Sequence, residues 1–185
     1  MAVLKPKDFI RQVLIDELKP LTTSSPYISF ALMAIGIEFL GKCLDISTDK
    51  WNTSGQGKSN FTNAIKSLAG FRGYVGYEEA LFEDLRCGFA HSFVPGHRFT
   101  LSSKDQVPHM FPFGNSTNLR CEDFYADFRN SCEEVINITF PASDKMNRDL
   151  LQVPGTTFSE SESETKSQSI FDNTPPPSSG TTSTT

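Results

Sequence analysis

Apolar positions recur at three- and four-residue intervals through most of the first 140 residues, a spacing that predicts helices. After Pro6, whose fixed φ suits a first turn, Ile10, Val13, Leu14 and Leu18 mark a helix that ends near Pro20. Pro26 to Leu44 follows, with Ser24 and Ser25 as candidate caps, and is apolar almost without a break from Ile28 to Leu40. That run, closed by Glu38 and Lys42, reads as a central helix buried on most sides and too short to cross a bilayer. Asp45 to Asn60 has no apolar period and reads as a loop. Phe61, Ala64, Ile65 and Leu68 predict a shorter helix that stops at Gly70, Gly73 and Gly76. Tyr77 to about Phe93 carries Leu81, Phe82, Leu85 and Phe89 on one side. Its acids cluster at the start, where the helix dipole favours them, and Pro95-Gly96 ends it.

The period then changes. Phe99 and Leu101 alternate with Arg98, Thr100 and Ser102, the turn-like Ser103-Lys-Asp follows, and a second run spans Val107 to Phe113, which predicts a short β-hairpin. Cys121, Phe124, Tyr125, Phe128, Cys132, Val135 and Ile136 restore the helical spacing up to Pro141. The expectation is an all-α domain over residues 1–150, built from about five helices with one hairpin inserted. From Pro154 onward, Ser-Glu repeats, three consecutive prolines and a Thr-Ser end carry too little apolar surface to offset chain entropy, so residues 151–185 are expected to be disordered.

Composition narrows the function classes. A chain of 185 residues, 37% of them hydrophobic, buries one sizeable core, whereas two full domains would each be poorly shielded. The net charge is −5, of which Glu160, Glu162, Glu164 and Asp172 against Lys166 contribute −3, so the rest of the chain carries only −2. A nearly neutral folded part argues against a protein that coats duplex DNA through a broad basic face, and any nucleic-acid contact must be focused. No charged segment followed by an apolar run opens the chain, so the cytoplasm is the expected location and no membrane span is expected. In that compartment Cys43, Cys87, Cys121 and Cys132, which form no Cys-x-x-Cys pair, are expected as thiols. The N-x-[ST] matches at Asn52, Asn60, Asn115 and Asn137 then have no glycosylation meaning.

The candidate chemistry lies in Glu83-Asp-Leu-Arg-Cys-Gly-Phe-Ala-His-Ser-Phe. Arg86 offers a fixed cation that grips two phosphate oxygens. His91 offers a group that exchanges protons near neutral pH, and together they suit phosphodiester chemistry without a metal or cofactor. Five residues at ~100° each set the two side chains roughly 140° apart, so they converge only through the reach of Arg86, loosening at Gly88, or a second subunit. Glu38, a carboxylate on an apolar helix, is placed either to orient Arg86 or His91 or at a water-facing end beside Lys42. His97, Arg98, His109 and the aromatics Phe99, Phe111 and Phe113 either line a groove for a stacked base or cap the bundle, and the capping role is preferred. Cys87 and His91, four apart, permit zinc with His97, His109 or Cys121 but lack a second compact ligand pair, so no metal is expected. Gly55-Gln-Gly-Lys-Ser imitates the end of a phosphate-binding loop, but position 52 is Asn and no strand precedes it.

Leu85-Arg-Cys-Gly-Phe-Ala-His-Ser resembles the signature of the HEPN superfamily (higher eukaryotes and prokaryotes nucleotide-binding domain), in which an Arg, four to six residues and a His end one helix. The resemblance implies an up-and-down bundle of four to five helices and a homodimer with two motifs face to face. It also implies metal-independent endoribonuclease activity on RNA, with Arg86 and His91 at the catalytic positions and Glu38, Cys87, His97 and Arg98 as possible support. Active members often carry a polar residue, commonly Asn, where this chain has Cys87. Other members act without catalysis as binding or interaction modules, some with an antitoxin or a nucleotidyltransferase as partner.

Overall fold

The structure is a computed structural model that describes residues 4–150 apart from 49, 52, 53, 105 and 106. It is predominantly helical with a small mixed sheet inserted late in the chain. Helix α1 runs over 6–24: Pro6–Phe9 and Leu18–Ser24 are α-helical, and Ile10–Glu17 between them is π-helical. It therefore passes Pro20 before stopping at Ser24. Helix α2 is Pro26–Leu44 and α3 is Gly57–Ser67, followed by a 3-10 helix, Ala69–Tyr74. Helix α4 covers 78–92, with Glu78–Leu81 and Gly88–Ser92 α-helical around a π-helical Phe82–Cys87. Helix α5 is Cys121–Asn137. With the 3-10 helix, six helical segments stand among the described residues where four to five were expected. The disorder expected of residues 151–185 lies outside the described residues.

Helix α2 is the centre of the packing. Its buried Phe30, Met33, Ala34, Ile37 and Leu40 meet Phe61 and Ile65 of α3, Leu81 and Leu85 of α4, and Phe124 and Phe128 of α5 in one apolar core. Burial of each such side chain contributes about 2 kcal/mol. The crossing of α2 and α3 is so close that a Cβ on Gly41 would fall 1.8 Å from the Asn60 carbonyl oxygen, so only glycine fits there. By length and composition α2 is long and apolar enough to cross a membrane, contrary to the expectation that it is too short, and 56% of its apolar window is buried inside the fold. It is also not covered on most sides: Ile28, Leu32 and Ile35 stand exposed on one face. Neither expected cap forms. Ser25 occupies the N-cap position without a side-chain bond, and the Ser24 hydroxyl donates to the Pro20 carbonyl instead.

The insertion differs from the expected hairpin. Strands β1 (Phe99–Ser102), β2 (Phe111–Phe113) and β3 (Ser116–Arg120) form a sheet in the order β1-β3-β2. The hairpin joins β2 to β3 through Gly114-Asn115, and β1 adds to β3 in parallel, pairing Phe99 with Thr117 and Ser102 with Arg120. Gly114 at φ +61° supplies the backbone that a two-residue hairpin loop requires, a feature absent from Ser103-Lys-Asp. Part of that expected turn, Asp105, is not among the described residues. Phe99 and Leu119 reach the core, while Phe111 and Phe113 are half exposed and do not cap the bundle as preferred.

Candidate functional site

Helix α4 presents both motif residues, and its local form follows from what holds its two ends. At the start, the Glu78 carboxylate accepts the Gly76 N–H at 2.5 Å, satisfying a donor ahead of the first turn. The chain after the helix folds back onto Asp84: the Gly96 N–H donates to the Asp84 carbonyl at 3.0 Å, and a Cβ on Gly96 would collide with the Asp84 carboxylate. That carboxylate, buried on α4, accepts the Arg98 backbone N–H at 2.8 Å and Arg98 Nε and Nη2 at 3.0 and 2.5 Å. Arg98 Nη2 also donates to Glu83 at 2.8 Å. Burial pushes the Asp84 carboxyl up, yet the hydrogen bonds from Arg98 outweigh it and hold the group below the usual carboxylate range. Arg98, a proposed supporting residue, is thus fully engaged in closing the helix.

Arg86 lies at the end of the π-helical turn, a form found mostly as single turns and frequently at functional sites. Its Nε–H donates to Glu38 Oε2 at 2.6 Å, and its guanidinium lies 5.9 Å from the centre of the Phe82 ring. Among the described residues its two terminal nitrogens make no hydrogen bond. Glu38 is only 7% exposed; its other oxygen, Oε1, meets Lys42 Nζ at 3.2 Å, and its carboxylate packs against Gly57, the first residue of α3. The carboxylate therefore sits among two cations and the positive end of a helix dipole. It stands where a bound phosphate would lie if Gly55-Gln-Gly-Lys-Ser were a phosphate loop, and Lys58 of that stretch pairs instead with Glu79 and Glu83.

His91 is exposed in the last turn of α4 and makes no hydrogen bond or ion pair among the described residues. Arg86 and His91 of one chain do not contact each other: one turns toward α2, the other toward solvent. Cys87 is half-buried and His97 exposed. Among the described residues no three His, Cys, Asp or Glu side chains gather as a metal ion would require. Cys121, one of the zinc candidates, is buried with its thiol directed at the Pro26 carbonyl at 3.7 Å, and burial pushes it up to about 12.

A second polar cluster went unnoticed in the sequence. The Tyr74 hydroxyl donates to Asp127 Oδ2 at 2.7 Å and lies 2.7 Å from His109 Nε2, while His109 Nδ1 accepts the Arg120 backbone N–H at 3.0 Å. Because Nδ1 accepts, the neutral ring carries its proton on Nε2 and donates it to Tyr74. Burial lowers His109 and raises Asp127, and burial together with the Asp127 charge holds the Tyr74 phenol protonated. The cluster joins the 3-10 helix, the segment before β2, and α5. The one signal for it was a His and a Tyr in otherwise polar or glycine-rich segments.

Comparison of the chain with family models, with curated proteins and with solved structures gives no match.

Proposed function

We propose that this protein is a HEPN-like, metal-independent endoribonuclease that works as a homodimer, with Arg86 and His91 of both copies facing a shared cleft. The observation that carries the reading is the state of Arg86: Glu38 fixes the guanidinium through Nε alone, and the paired terminal nitrogens are left to meet two phosphate oxygens. His91, unbonded and exposed on the next turn, is available for proton transfer. In the reaction, imidazole of one copy takes the proton of a ribose 2′-hydroxyl, and that oxygen bonds to phosphorus. The bond to the 5′-oxygen breaks, and the protonated imidazole of the other copy gives its proton to the leaving oxygen. Arg86 stabilises the added negative charge on the phosphoryl oxygens.

The homodimer is supported by the exposed stripe Ile28, Leu32 and Ile35, which shares one face of α2 with half-buried Phe39 and borders an apolar groove of about 340 Å³ formed with Phe9, Val13 and Leu21 of α1. On the helical wheel Glu38 follows this stripe by roughly 60°. A second copy seated there lies beside each Arg86.

The purified full chain is expected to cut single-stranded RNA in the presence of a chelator and to leave a cyclic phosphate end, with cleavage lost in His91→Ala. Chelator-sensitive cleavage, or cleavage unchanged in His91→Ala, refutes the mechanism. A second reading, a non-catalytic RNA-binding or protein-interaction module, is favoured by the same Glu38, whose carboxylate offsets part of the Arg86 charge, and by Cys87 in place of the polar residue common in active relatives. It predicts binding of RNA or of a protein partner, such as an antitoxin or a nucleotidyltransferase, that is lost in Arg86→Ala without any cleavage.

A further inference from the structure

Between the first turn of α2 and the end of β1 lies a separate opening of about 330 Å³, walled by Pro26, Tyr27, Phe30 and Leu101 and edged by Ser102 and Ser103. Its size and its mix of flat apolar walls with one or two hydroxyls are those of a small-ligand pocket. Ser102 is more than nine-tenths buried, yet its hydroxyl has no hydrogen-bond partner. Such an orphan costs about 1–3 kcal/mol, and native folds rarely keep one without a use. A water molecule satisfies the hydroxyl but leaves the rings bare, whereas a flat heterocycle with a polar edge satisfies both.

The opening is tied to the motif helix through Tyr27. The Tyr27 hydroxyl donates to the Phe93 carbonyl at 2.5 Å, and its ring meets Phe89 edge-on at 5.2 Å between centres. These two contacts bracket His91 in the sequence and cap the end of α4, where Phe93 takes a left-handed conformation at φ +56°. A ligand against Tyr27 therefore sits beside the turn that carries His91.

We propose that this opening binds one base of an RNA chain, its ring against Tyr27 and Leu101 and its polar edge on the Ser102 hydroxyl. The choice of a nucleobase rests on the ribonuclease reading of Arg86 and His91; the existence of the pocket does not. A hydroxyl both donates and accepts, so it meets either kind of base edge and selects weakly among the four bases.

The test uses the isotope-labelled full chain, titrated separately with adenosine, guanosine, cytidine and uridine and followed by NMR. At least one nucleoside is expected to shift the amide signals of Tyr27, Leu101, Ser102 and Ser103 in a saturable way. Ser102→Ala, which keeps the fold, is expected to weaken that binding about fivefold, the worth of one hydrogen bond. Ser103→Trp, which fills the opening, is expected to abolish it, and, where RNA is cleaved, to raise KM without changing kcat. Nucleoside binding without any RNA cleavage upholds the pocket and sinks the nuclease reading. Cleavage with no nucleoside shift, or with KM unchanged in a natively folded Ser103→Trp, overturns the pocket and leaves the nuclease reading standing. Shifts produced by an apolar probe such as benzene and by no nucleoside also overturn it.

Discussion

The molecule holds two polar clusters of similar make-up that differ in one respect. Around Tyr74, every group meets another: a backbone N–H is given to His109, His109 gives to Tyr74, and Tyr74 gives to Asp127. Around Arg86, the carboxylate of Glu38 is shared by two cations, but the guanidinium spends one donor and keeps two nitrogens unspent, with an unpartnered His91 a turn away. A closed network of this kind fixes three segments of chain in register. An open one keeps binding capacity for something the fold does not contain. Chemistry-bearing residues are better recognised by what they have left over than by their type, since His, Tyr and Asp in the closed cluster look at least as catalytic as Arg and His in the open one.

The sharpest way to break the comparison is Arg86→Lys. Lysine still reaches Glu38 but loses the paired donors, so RNA cleavage is expected to fall by about 10²–10³-fold, some 3–4 kcal/mol of transition-state stabilisation, with the melting temperature almost unchanged. Loss of stability with activity intact would place Arg86 with the structural residues. Tyr74→Phe is the converse: removing the hub leaves His109 and Asp127 unpaired in a half-buried site, and thermal unfolding is expected to show a loss of about 2 kcal/mol with kcat retained. Next in size is the response to pH. Because folding lowers the His109 pKa, the unfolded chain binds the extra proton first, and stability is lost as pH falls from about 6.5 through the folded value. Asp127, raised by burial, has the opposite slope above about pH 4, stability falling there as pH rises. Melting curves from pH 7.5 to 5 are expected to fall by roughly 1 kcal/mol, a slope that His109→Gln removes. Smallest is Cys87→Asn, which restores the polar residue usual in active relatives of the proposed kind and is expected to raise the cleavage rate by at most about tenfold, the worth of one added hydrogen bond.

Most of the helical layout was legible because it is written in short-range periodicity. The spacing of Cys121 to Ile136 gives α5, and the acids at Glu78 and Glu79 give the start of α4. What escaped depends on partners distant in sequence or on a face that periodicity leaves undefined. An apolar run such as Ile28 to Leu40 has no polar side to mark, so the exposed stripe of α2 was not visible. The parallel pairing of β1 with β3 leaves no local trace, although Gly114-Asn115 was a readable turn that the alternating pattern before it obscured. Of the candidate site, the motif and Glu38 stood out as residues. That Glu38 meets Arg86 across two helices, and that Arg98 serves Asp84, required the folded chain. The π-helical turn under Arg86 has no sequence signature at all.

The two ends of the described chain are stitched together. Leu4 and Leu150 pair backbone to backbone, Lys7 donates to the Ile138 carbonyl, and the Tyr125 hydroxyl donates to the Ile15 carbonyl. Helix α1 is thus synthesised first and docked last. Lys7 and its acceptor are 131 residues apart, so at about 5–20 residues per second α1 leaves the ribosome roughly 7–26 s before its partner exists. Throughout that interval Ile10, Leu14 and Leu18 have no core to enter, which makes the newborn chain a client for a holding chaperone and makes truncation before Ile138 a lesion of the amino-terminal helix.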